Sequence, residues 1–216
     1  MSTEFASAGL TAGQLNAIVK KLGGYDGALK FLRGETTIAE STRNWREEDG
    51  VIYFSVESDG TTGENWIIRL ESKGFRVDDY AKQMLRSSDF KPTDGVKTEI
   101  AVLKSELFQN NDLITNKIRA EANKRKLSKP NAEMACLIRE KFGDKEIGVM
   151  GCWLIVVMHE PLSGFCVNPS LLGADCGDIG CWLTAYDGLP DGWWGSNSGF
   201  AFVVPQVSSE LGLSGL

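Results

Sequence analysis

The chain has 216 residues, enough for one large domain or two small ones with a real hydrophobic core. Its 42% hydrophobic and 24% charged residues are those of an ordinary globular protein, and the longest apolar stretch, 152–158, is far too short to span a bilayer. All 23 Lys and Arg lie at or before Lys145, leaving seven acids and no base in the last 71 residues, a balance that repels phosphate and argues against nucleic-acid binding.

The N-terminus carries an early Glu4, no basic start and no apolar run of signal-peptide length. The expectation is a soluble, unprocessed chain without membrane insertion, cytoplasmic by default, with export by an unrecognised route left open.

"LTAGQLNAIVKKLGG" opens with Thr11 as N-cap and Gln14 three residues on, and it stops at Gly23-Gly24. Leu15, Ile18, Val19 and Leu22 share one face, and Tyr25 to Leu32 follows as a second short helix, making a helical hairpin. "GVIYFSVES" is a strand rich in aromatic and β-branched residues. "TTGENWIIRLESKG" and "VDDYAKQMLRS" are helices, the first ended by Gly74 and the second capped by Asp78 or Asp79. "VKTEIAVLKSELF" fits either state: its alternation suits a strand, and its Ile100, Leu103, Leu107 spacing suits a helix.

"NDLITNKIRAEANKRKL" and "KPNAEMACLIREKFG" are helices, the second with Pro130 near its first turn and Gly143 past its end. "DKEIGVMG" adds a turn or two, and "CWLIVVMHE" is a buried strand. After Pro161 glycine and proline recur every few residues and helical periodicity vanishes. That segment reads as loop-rich β structure closing with the strand "GFAFVVPQV". The strand at 152–158 needs partners, so residues 95–207 are expected to form one unit, after a helical and mixed region 1–94 and before a flexible tail 208–216.

Chemical signatures are sparse. Cys136, Cys152, Cys166, Cys176 and Cys181 contain no C-x-x-C pair, and His159 is the only histidine, so a structural zinc site is not expected; the odd cysteine count favours reduced thiols, with a Cys176–Cys181 disulfide as the less favoured alternative. His159-Glu160, at the end of a buried strand, could serve with Cys152 or Cys166 as base and nucleophile, but no catalytic signature flanks them. The expected role of His159 is a hydrogen-bonded structural one. Gly173, Gly177 and Gly180 match no phosphate-binding spacing, and Asp175, Asp178, Asp187 and Asp191 do not follow a calcium loop. No cofactor or metal is expected.

Residues 173–202 hold three Trp, seven Gly and four Asp, but no Lys, Arg, Glu, Gln, Met or His. Tyr, Trp, Ser, Gly and Asn dominate adaptable recognition surfaces, where rigid rings supply contact area and small polar groups adjust their hydrogen bonds. Tyr186, Trp193, Trp194, Ser196, Asn197 and Ser198 provide that set.

The pattern Trp182, Leu183, Ala185, Pro190, Trp193, Gly199, Phe200, Ala201, Phe202 resembles the C-terminus of an uncharacterised bacterial family and of the variable proteins of diversity-generating retroelements. The resemblance covers about the last fifty residues with some specificity. It implies a C-type-lectin-like fold, a diversified segment from Gly173 to Ser198 and a constant end, "GFAFVVPQV". Such systems mutate adenines in asparagine-type codons, which cannot yield Lys, Glu, Gln, Met or Trp. The first four are absent from 174–198, and the tryptophans then read as fixed scaffold. Glu160-Pro161-Leu162 is not the sugar-binding E-P-N triplet and no W-N-D follows, so calcium-dependent sugar binding is not implied.

The expectation is therefore an α+β protein, N-terminal helices leading into a C-type-lectin-like domain, that binds a ligand, a protein rather than a small molecule, through a diversified face. That face comprises Asp175, Cys176, Asp178, Thr184, Tyr186, Asp187, Asp191, Trp194, Ser196 and Asn197. Trp182, Trp193 and Phe200 are the expected buried anchors, with Trp194 facing outward beside Trp193. No enzymatic function is expected; the alternatives are a hydrolase-type enzyme using His159, Glu160 and a cysteine, and an assembly protein with a fixed C-terminal interface.

Overall fold

Runs of β-branched and aromatic residues set the centre of this fold, and helical segments cover what those strands leave exposed. The computed structural model describes residues 11–36, 43–162, 169–177 and 180–206, and among them it is α+β, with seven α-helices and one eight-stranded mixed sheet. The tail at 208–216, with Cys166 and Asp178, lies outside the described residues.

The chain divides into two units, Met1–Arg43 and Asn44–Leu216. The first contains α1 (Ala12–Lys21) and α2 (Gly24–Leu32). Thr11 caps α1 as expected: its hydroxyl accepts the Gln14 N–H, and the Gln14 side chain accepts the Thr11 N–H at 2.8 Å. Gly23, with φ of 89°, makes the turn into α2. Neither helix contains a buried residue, and the Leu15, Ile18 and Val19 stripe is exposed.

The second unit contains β1 (Arg46–Glu48), β2 (Val51–Asp59), α3 (Gly63–Ser72), β3 (Arg76–Val77), α4 (Asp79–Arg86) and β4 (Asp94–Lys104). These are followed by α5 (Thr115–Lys124), α6 (Glu133–Lys141), α7 (Asp144–Val149), β5 (Leu154–Val157), β6 (Ser170–Gly177), β7 (Gly180–Asp187) and β8 (Ser198–Val203). The strands lie in the order β1-β2-β4-β8-β5-β6-β7-β3, antiparallel except for β5 beside β8 and β3 beside β7.

A domain boundary near residue 94 is not observed. β2 pairs with β4 from Val51↔Leu103 to Asp59↔Asp94, and α3 and α4 share one core with α6, β6 and β7. A strand as apolar as β2 needs a central neighbour, and β4 is that neighbour. The ambiguous stretch 96–108 is strand to Lys104, followed by a single 3₁₀ turn, Ser105–Leu107. Ile100 to Leu103 are all buried because β4 lies between β2 and β8 with both faces covered, which hides the alternation that marks a half-exposed strand.

Helices α3, α4, α6 and α7 cover one face of the sheet through Trp66, Leu70, Leu85, Ile138, Phe142 and Ile147. The other face is covered by Leu113 and by Ile118 and Ala122 of α5, packed on Leu103, Val156, Phe200 and Phe202. The stretch after Pro161 is more regular than its glycine content implies, since it supplies three of the eight strands.

Candidate functional site

The β6–β7 hairpin separates the expected site residues by strand parity. Leu171↔Tyr186, Gly173↔Thr184 and Asp175↔Trp182 are partners, so these six share the face that carries Leu154, Phe200 and Trp194. Leu172, Ala174, Cys176, Leu183 and Ala185 point to the opposite, helix-covered face. Cys176 is thus not part of a common surface with Asp175; its thiol points at the Asp144 carbonyl, 3.8 Å away.

On the first face the Tyr186 ring lies across β6. A Cβ added to Gly173 would stand 3.3 Å from Tyr186 Cε2 and 2.9 Å from Leu154 Cδ1, so only glycine leaves the ring its path. The ring reaches Asp175, whose Oδ2 accepts the Tyr186 hydroxyl at 2.7 Å. Burial, reinforced by the Asp175 carboxylate, pushes the phenol pKa up, so this hydroxyl stays protonated and donating. Gly177 gives similar room to Trp182, whose Cδ1 would be 3.1 Å from an added Cβ. The Arg76 guanidinium stacks over the Trp182 ring at 5.2 Å. From the helix side the fully buried Arg139 pairs with Asp144 at 3.1 Å and donates to the Asp175 carbonyl at 3.2 Å.

Residues 188–197 run over the same face. Their path is fixed by backbone bonds: Thr115 N–H to Gly192 O (3.1 Å), Asn116 N–H to Pro190 O (2.9 Å) and Trp194 N–H to Leu113 O (2.8 Å). Asp191 and Ser196 are exposed on this loop. Asn197 is exposed too, but its backbone is left-handed, with φ of 66°. Its N–H donates to Ser105 Oγ at 3.0 Å and its carbonyl accepts the Trp153 N–H at 2.8 Å. Asp187, exposed at the end of β7, has the opposite parity to Tyr186.

The adjacent tryptophans reverse the expected assignment. Trp194 is 5% exposed and Trp193 is 65% exposed. The Trp194 ring packs edge-on against Tyr186 and Phe200, each centroid 6.0 Å away, and its Nε1 donates to Thr115 Oγ1 at 3.0 Å. The short bridge between Ile114 and Trp193 sets which ring faces in, a long-range register that adjacent residues cannot reveal. Phe200 is fully buried as expected, whereas Trp182 is only half-buried. Of the expected face, Asp175, Thr184 and Tyr186 share one side of the sheet, Asp191, Ser196 and Asn197 lie exposed on the loop that follows, and Trp194 is an anchor.

Trp153 was not singled out by the sequence. It is 61% exposed at the head of β5, between the Asn197 carbonyl and the Cys176 N–H. With Asp144, Gly148, Cys152, Cys176 and Gly177 it lines an open cleft of about 330 Å³ on the helix-covered side. A large aromatic at the start of an otherwise buried apolar run is the one signal that marks it.

His159 is 1% exposed and holds two backbone groups. Its Nε2 accepts the Leu172 N–H at 3.0 Å, which leaves the proton on Nδ1, 2.6 Å from the Glu160 carbonyl. Burial depresses its pKa to about 4. Both ring nitrogens are committed to the backbone. Glu160 pairs instead with Lys129, which lowers the carboxyl pKa. No group of three or more His, Cys, Asp or Glu that could hold a metal ion exists among the described residues. No helix among them is long and apolar enough to cross a membrane.

Comparison of the chain with protein-family models, with curated proteins and with solved structures gives no match in any of the three.

Proposed function

We propose that the chain binds a protein ligand through an exchangeable C-terminal face, in the manner of the variable proteins of diversity-generating retroelements. In this reading the α+β unit serves as the C-type-lectin-like scaffold. The observation that carries it is a separation of roles within residues 173–202. Leu183, Trp194, Phe200 and Phe202 are buried and, with the main-chain bonds of the 188–197 loop, fix the backbone. Thr184, Asp191 and Ser196 lie between those anchors with half-buried or exposed side chains. A surface whose backbone is held by other residues tolerates side-chain exchange, the physical requirement for diversification. Exposed Trp193 adds the rigid aromatic area that dominates protein–protein contacts.

The test is the neighbouring DNA. The reading expects a near-copy of the segment coding residues 174–207 beside a reverse-transcriptase gene, differing from it at adenines. Absence of such a copy from the complete surrounding locus would reject diversification and leave a fixed interface.

A further inference from the structure

Cys176 and Cys181 are direct partners across the β6–β7 hairpin, one pair in from Gly177↔Gly180. The Cys176 N–H points away from β7 and donates to the Trp153 carbonyl at 2.8 Å. The two cysteines therefore occupy a non-hydrogen-bonded site of the antiparallel ladder. At such a site the Cα atoms lie about 4.5 Å apart with side chains on one face, inside the roughly 4.4–6.8 Å range that a disulfide spans. Both are free thiols, and both are half-buried. Both also sit against Asp144, which hydrogen-bonds the Cys181 side chain and receives the Cys176 thiol. The open cleft beside Trp153 gives a small reagent access to Cys176. Cys136 and Cys152, by contrast, are buried.

We propose that Cys176 and Cys181 form a dithiol/disulfide site, oxidised by a low-molecular-weight disulfide to a cross-strand bond within the hairpin. One cysteine thiolate attacks the reagent's S–S bond, forming a mixed disulfide and releasing one reagent thiolate. The second cysteine thiolate attacks the protein sulfur of that mixed disulfide, forming the intramolecular bond and releasing the second thiolate. Two electrons pass to the reagent, and the two cysteine protons end on its two thiols.

Burial, with the Asp144 charge, raises the Cys176 pKa to about 12 and also raises that of Cys181. The pair thus exchanges slowly at neutral pH, and about tenfold faster for each pH unit toward alkaline conditions. The inference is independent of the proposed ligand-binding role.

The experiment treats the full chain with glutathione disulfide at pH 7 and pH 9 and follows it by intact mass and chymotryptic peptide mapping. In the peptide that contains Cys176 and Cys181 the expected product has lost two hydrogens, carries no glutathione and reverts with dithiothreitol. Cys152→Ala should give the same product. Cys176→Ser and Cys181→Ser should stop at a glutathione adduct or stay unmodified, with Cys181→Ala as the second variant if a serine disrupts folding. Loss of two hydrogens in Cys181→Ser or Cys181→Ala would overturn the assignment. So would wild-type protein that keeps glutathione on both thiols, or that remains unmodified at pH 9.

Discussion

Tyr186 donates its hydroxyl to Asp175 across a strand that is bare at Gly173, so this pair is both part of the candidate face and part of what holds it. Tyr186→Phe removes the donor and leaves a half-buried carboxylate oxygen without it. The expected loss is about 1 kcal/mol, read from urea denaturation at constant m-value. Gly173→Ala should cost more than this exchange, because the new Cβ displaces the ring itself. If Tyr186→Phe were neutral and Gly173→Ala harmless, the ring would not lie across β6.

Trp193 and Trp194 should respond oppositely to truncation. Trp194→Ala empties a site between Tyr186 and Phe200 and frees Thr115 Oγ1 from its donor, so a loss of about 3–5 kcal/mol is expected. Trp193→Ala should stay within about 1 kcal/mol, since its ring is mostly in solvent. Paired chemical-denaturation curves decide the assignment. Under the proposed function, Trp193→Ala should weaken ligand binding without loss of fold.

His159 gives the fold an acid sensitivity. Its folded pKa of about 4 lies below the usual value of 6.5, so between those values the unfolded chain binds the proton and the native state does not. Stability from this site is complete above about pH 6.5 and falls as pH drops toward 4, by an amount on the order of 3 kcal/mol. His159→Gln should be less stable than wild type at pH 7. Its unfolding free energy should also fall less between pH 7 and 4.5. An equal pH dependence in both proteins would show that the buried imidazole is not the group that titrates.

Local chemistry was legible in the sequence, and long-range register was not. The Thr11–Gln14 box, a cap at Asp78 or Asp79 and the strand "GVIYFSVES" follow from near neighbours; the structure has the box, Asp78 as the cap and a strand over Val51–Asp59. The side on which Trp194 lies depends on Ile114 and Thr115, far back in the chain, and nothing in "GWWG" announces them. Cys176 fell on the wrong face for a related reason. The glycines of 173–180 look like loop breaks and mask the period-two alternation of a strand, although Gly173 and Gly177 are strand positions lying under rings. His159 was recognisable as structural from its isolation in the sequence, but its partner Leu172 was not.

Asn197 separates backbone demand from side-chain freedom more sharply than any other residue of the candidate face. Its φ of 66° is strained for β-branched side chains and easy for glycine, while its two main-chain bonds, to Ser105 and Trp153, persist whatever the side chain. Asn197→Gly should keep stability within about 1 kcal/mol, whereas Asn197→Val should cost about 1–3 kcal/mol. Simultaneous exchange of Asp191 and Ser196 for other small polar residues and of Thr184 for Ser should move the melting temperature little, because the first two are exposed and the third keeps a hydroxyl beside Tyr186. Thermal unfolding of the three proteins tests both halves. Cooperative loss of structure in the triple variant would mean that these residues hold the fold, and the proposed exchangeable face would fail with it. If the triple variant melts normally but Asn197→Val is also silent, the left-handed turn before β8 is not the constraint on position 197, and that residue joins the freely exchangeable set.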